Sequence, residues 1–157
     1  SLSYGADVVG VEPIAGRRRL AEVAGAVAVE AEPQAVRQAL GDRPPHVVVA
    51  CTGAPGALEL AFELAGPATT VQLFAPSGLG ARLPVEVNRL FFEEITVQAS
   101  YSAGPADTRI ALELLGRGQV SAEGLITHRF PLSRTGEALR AAKSAPGVVK
   151  VVVEGTG

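Results

Sequence analysis

Short apolar runs rich in β-branched residues alternate along the chain with segments whose apolar positions recur at helical spacing. The runs Ala6 to Val11, Val27 to Val29, Val47 to Cys51, Thr69 to Phe74, Ile95 to Ser100 and Val148 to Val153 predict strands. Most are nearly continuous in apolar character, the pattern of a parallel sheet with helices on both faces. Helices are predicted over Arg17 to Ala24, Pro33 to Leu40, Pro55 to Ala65, Pro105 to Leu115 and Gly136 to Ala142. Alternation of this kind predicts an α/β fold: a Rossmann-like parallel sheet with flanking helices.

Pro33, Pro55 and Pro105 suit first helical positions, where a missing N–H costs nothing, and Asp107 puts negative charge into a first turn. In the third helix Ala57, Leu60, Ala61 and Leu64 share one face, away from Glu59 and Glu63, and that face should pack on the sheet. Pro76 to Pro84, with Ser77, Gly78 and Gly80, reads as a loop, and Val85 to Glu94 as an irregular turn or short helix. There is no internal repeat and no linker, so residues 1–157 are expected to form one domain or part of one.

Composition narrows the classes. With 157 residues, one cysteine and 47% hydrophobic residues, the chain is globular and not a disulfide-stapled scaffold. Lys and Arg number 14 against 16 Asp and Glu, and aromatics make up only 4%, which excludes a phosphate-tracking, base-stacking surface and hence nucleic acid as a partner. No apolar run has the length needed to cross a bilayer and no basic segment leads into one, so no membrane partner is expected and a reducing cytoplasm fits best. Methionine is absent even at position 1, which points to a cut chain.

The first strand ends Val8-Val9-Gly10-Val11-Glu12 before a turn and a helix. In dinucleotide folds an acid at that place binds the adenosine ribose hydroxyls and disfavours a 2′-phosphate, so Glu12 predicts NAD over NADP. The glycine-rich turn should lie about 20 residues earlier, yet only Ser1 to Val11 precede Glu12. The fold is therefore expected to be truncated at the N-terminus, with the first strand and glycine turn missing. In the strand order 3-2-1-4-5-6 that loss leaves a gap at the sheet centre, and the two apolar edges should invite rearranged pairing or aggregation.

Gly5-Ala6-Asp7-Val8-Val9-Gly10-Val11-Glu12-Pro13, Cys51-Thr52-Gly53, Thr70 to Pro76, Ser100-Tyr101-Ser102-Ala103-Gly104-Pro105 and Leu125-Ile126-Thr127-His128-Arg129-Phe130-Pro131-Leu132 resemble the C-terminal, coenzyme-domain part of a zinc-type medium-chain alcohol and polyol dehydrogenase. The resemblance runs across essentially the whole chain. It implies NAD in the full-length parent, zinc in a catalytic part absent here, and a small-molecule alcohol or polyol as substrate. It further implies that Glu12 binds the adenosine ribose, that Cys51, Thr52 and Gly53 flank the adenine and nicotinamide cleft, and that backbone near Phe74 to Pro76 and Ser100 to Ser102, Tyr101 included, faces the nicotinamide. Lys150 matches a basic position that meets the pyrophosphate. The chain departs from the family where a Gly-Gly pair usually precedes a strand and Gly66-Pro67-Ala68-Thr69-Thr70 stands instead.

Plainer readings compete. Arg17, Arg18 and Arg19 read as a solvated helix start, with Arg18 pairing Glu22, in preference to a 2′-phosphate grip. Cys51, a free cysteine at a strand end, reads as a small core residue in place of a nucleophile. His46 and His128 have no local metal-ligand spacing, so no metal site and no catalytic residue is assigned within the chain, and His128 reads as structural. Hydrolase-elbow, phosphate-loop and metalloprotease motifs do not occur. The expected function is thus a fragment of an NAD-dependent oxidoreductase, inactive alone. The alternatives are a standalone noncatalytic α/β interaction module and a zinc-free quinone-reductase-like relative. A homo-oligomer is expected, with Leu79 to Phe92 offering an interface.

Overall fold

The computed structural model describes residues 4–41, 43–83, 85–144 and 147–155, so Ser1 and Pro84, the predicted loop end, lie outside the described residues. The elements run β1 (Val9–Val11), α1 (Ala15–Val23), β2 (Val27–Val29), α2 (Pro33–Leu40), β3 (Val47–Ala50), α3 (Pro55–Leu64), β4 (Thr70–Leu73), α4 (Val87–Phe92), β5 (Thr96–Ala99), α5 (Pro105–Gly116), β6 (Ile126–Pro131), a 3-10 turn (Leu132–Arg134), α6 (Thr135–Ser144) and β7 (Lys150–Glu154). Every predicted strand is present, most trimmed at the ends, and the proline-led helices begin at Pro33, Pro55 and Pro105. The undecided segment before β5 is a helix of six residues.

Two compact units divide the chain, one from the described residues of 29–104 and one from those of 1–28 and 105–157. The first holds the parallel sheet β3-β4-β5, with Val48 beside Val71 beside Val97 and Ala50 beside Leu73 beside Ala99. Parallel neighbours need crossover connections, and α3 and the segment carrying α4 supply them. Alternation along the strands sends Val48, Ala50, Val71 and Leu73 to one face. There Ala50, Ala61, Ala65, Val71 and Ile95 form the buried cluster, with Leu58, Phe62 and Leu90 packed against it.

The face of α3 that packs is therefore Leu58, Ala61, Phe62 and Ala65, one residue round from the predicted Ala57, Leu60, Ala61 and Leu64. This helix is apolar on most of its circumference, so spacing alone does not choose the face, and alanines at 61 and 65 let its backbone approach the sheet. The other sheet face is a second correction. Val47 and Val49 are half-exposed there, and all four residues of β5 are exposed, so the sheet is covered on one side only.

A buried polar knot closes the lower end of this sheet. Thr69, fully buried, donates its hydroxyl to the Pro45 carbonyl at 2.7 Å and accepts the Gly66 N–H at 3.0 Å. A Cβ on Gly66 would stand 2.6 Å from the Pro44 ring. Ala68 takes φ +60°, the left-handed conformation that glycine adopts without strain, and its N–H reaches the Glu93 carbonyl at 2.8 Å. An alanine thus turns the chain where relatives were expected to use a Gly-Gly pair.

In the other unit β1 lies beside β2, through the Val27 N–H to the Val8 carbonyl, and β6 pairs with β7 in parallel. Strand β6 has no counterpart among the predicted strands. Thr127, His128 and Arg129 break its apolar run, and its burial alternates as in a strand with one covered face. The described strands form three hydrogen-bonded sheets in place of the single sheet that the alternation predicts.

Candidate functional site

Ligands of α/β sheets bind beyond the carboxyl ends of the strands, where connecting loops diverge. In the first unit those ends are Cys51 to Gly53 after β3, Phe74 to Pro76 after β4 and Ser100 to Ser102 after β5. The parallel ladder carries past the strands, because the Phe74 N–H bonds the Ala50 carbonyl and the Ser100 N–H the Leu73 carbonyl, both at 3.1 Å. Cys51, Thr52, Gly53, Ser100 and Tyr101 therefore share one edge of one sheet.

Cys51 is exposed, which corrects its reading as a core residue: Ala50 closes the buried face, and the chain turns out of the sheet at the next position. The Thr52 hydroxyl accepts the Ala54 N–H at 3.3 Å and shapes the turn into α3, whose first residue is Pro55. Gly53 is where the turn after β3 meets the loop after β4. A Cβ there would lie 2.1 Å from the Pro76 carbonyl oxygen, so only glycine fits. Ser102 holds φ +62°, a left-handed non-glycine residue at the end of the edge, and Tyr101 is fully exposed beside it.

Glu12 and Lys150 belong to the other unit. Glu12 follows β1, and its Oε1 accepts the Ile14 N–H at 2.9 Å, which holds the carboxylate in the turn. The Arg18 guanidinium donates to the carbonyls of Glu12 and Pro13, each at 2.9 Å, and Arg17 donates to the Val148 carbonyl at 3.0 Å. Both arginines thus bind main-chain oxygens, a use that their position at a helix start did not signal. Lys150 opens β7 and is exposed. Its backbone is set by Thr127, whose hydroxyl accepts the Val149 N–H at 3.1 Å and donates to the Lys150 carbonyl at 3.2 Å across the irregular register of β6. His128 sits against the Thr127 hydroxyl at 3.0 Å and stacks on Phe130.

Sequence reasoning passed over Gln72, whose amide reaches Ser100, and gave Thr127 and Arg17 no such role. Each acts through a partner distant in sequence, so no local motif announces it. Among the described residues no three His, Cys, Asp or Glu side chains gather as a metal site would need, so the residues present do not fit a zinc ion. Among them, too, no helix is long and apolar enough to cross a membrane.

The sequence profile of the zinc-binding dehydrogenases matches residues 2–117. A sorbitol dehydrogenase of Halalkalibacterium halodurans is 33% identical over 104 residues, which are 65% of this chain and 29% of that protein. Among solved structures, a short chain alcohol dehydrogenase from E. coli, complexed with NADH, superposes with a TM-score of 0.80 at 20% identity over 94% of this chain and 44% of its own. A thermostable alcohol dehydrogenase from Pyrobaculum aerophilum, bound to cobalt and zinc, gives 0.77 at 25% identity over 95% and 42%. The chain spans less than a third of the curated relative and under half of either solved structure.

Proposed function

The chain belongs to the zinc-binding dehydrogenase family, and from that premise we propose that residues 1–157 are part of the NAD-binding half of an oxidoreductase that moves hydride between an alcohol or polyol and nicotinamide. The observation that carries this reading is the shared edge of β3, β4 and β5, where the Gly53 turn lies against Pro76 with no room for a side chain. That approach brings the turn after β3 and the loop after β4 together at the carboxyl end of the sheet, where ligands of α/β folds bind.

In this reading Glu12 takes the adenosine ribose, Lys150 the pyrophosphate, Cys51, Thr52 and Gly53 line the cleft, and Ser100 and Tyr101 face the nicotinamide. NAD is preferred over NADP because the Glu12 carboxylate repels a 2′-phosphate, while Arg17 and Arg18 bind carbonyls of their own chain. Zinc, when bound by residues outside this chain, polarises the substrate oxygen, so the chain alone is inactive. The free, exposed thiol of Cys51 suits a reducing cytoplasm. Leu79, Val87, Phe91 and Phe92 are exposed apolar side chains that a second copy of the chain would cover.

The test is NADH titration, followed by fluorescence, of the protein expressed from its native gene. Glu12→Ala and Lys150→Met should each weaken binding roughly tenfold or more, the size of a lost hydrogen bond to a charged group. Affinity unchanged in both variants overturns the assignment.

A further inference from the structure

We draw no further inference here: the strongest candidate, the apolar pocket on the β6-β7 pair that Leu125, Ile126, Val149 and Val152 line beside Lys150, carries nothing, because nothing in the structure shows what covers it.

Discussion

The sheet β3-β4-β5 and the strand pair β6-β7 are both parallel, and they are held together differently. The sheet closes on small buried side chains, Ala50, Ala61, Ala65, Val71 and Ile95, with Thr69 fully buried and doubly bonded at one end. The strand pair buries Ala138 of α6 and Val148, only half-buries Ile126, Phe130, Val151 and Val152, and adds polar ties: the Thr127 hydroxyl bonds the Val149 N–H and the Lys150 carbonyl, and Arg129 pairs with Glu154 at the surface. Exposed ion pairs contribute little against solvent. In the same unit α5 leaves Ile110, Leu112 and Leu115 largely exposed. Packing density, not strand direction, therefore sets where a substitution is costly.

The sharpest way to break this comparison is Gly53→Ala. Its Cβ meets main chain and not a flexible side chain, so the turn or the Pro76 loop must move. The expected cost is about 3 kcal/mol, the upper range of overpacking, read as a lowered urea midpoint. An unchanged midpoint would mean that the two loops separate freely.

Next comes a matched pair of truncations. Val71→Ala, at a fully buried position, should cost about 2 kcal/mol, whereas Leu112→Ala on α5 should cost less than about 0.5 kcal/mol. A Leu112→Ala loss as large as that of Val71→Ala would show that another surface covers α5 in solution and would erase the contrast between the units.

The smallest effect is electrostatic. Arg134 donates to the Glu137 carboxylate at 2.9 Å, and this hydrogen bond holds the Glu137 pKa below the ordinary 4.5. A carboxylate with a lowered folded pKa adds stability above its unfolded value, and that stability is lost as pH falls through the folded value. The melting temperatures of wild type and Glu137→Gln should therefore differ slightly at neutral pH and converge on acidification. A gap that persists in acid would assign it to packing.

Much of the fold was legible in the chain because its signals are local. Proline at a first helical position needs no tertiary partner, and α2, α3 and α5 start at Pro33, Pro55 and Pro105 as expected. Apolar runs rich in β-branched residues announced β3, β4 and β7 for the same reason. Strand β6 escaped because Thr127, His128 and Arg129 become strand residues through pairing with β7, and the exposure of Cys51 depends on where the chain leaves the sheet. The face of α3 was ambiguous because apolar residues surround it.

The candidate site divides in the same way. Glu12, placed after a valine-rich strand, and the Thr52-Gly53 turn could be picked from order along the chain, since a strand end is a local event. Tertiary structure decided that Gly53 must be glycine, that Thr127 carries Lys150, that Arg17 and Arg18 serve main-chain carbonyls, and that the Gln72 amide reaches the Ser100 hydroxyl. Each of these is a contact of about 3 Å or a steric limit between atoms far apart in sequence, and hydrogen bonds and van der Waals walls act only over such distances. Periodicity and propensity determined most elements of this protein, β6 excepted, while the folded chain alone decided which side chains those elements bring within reach.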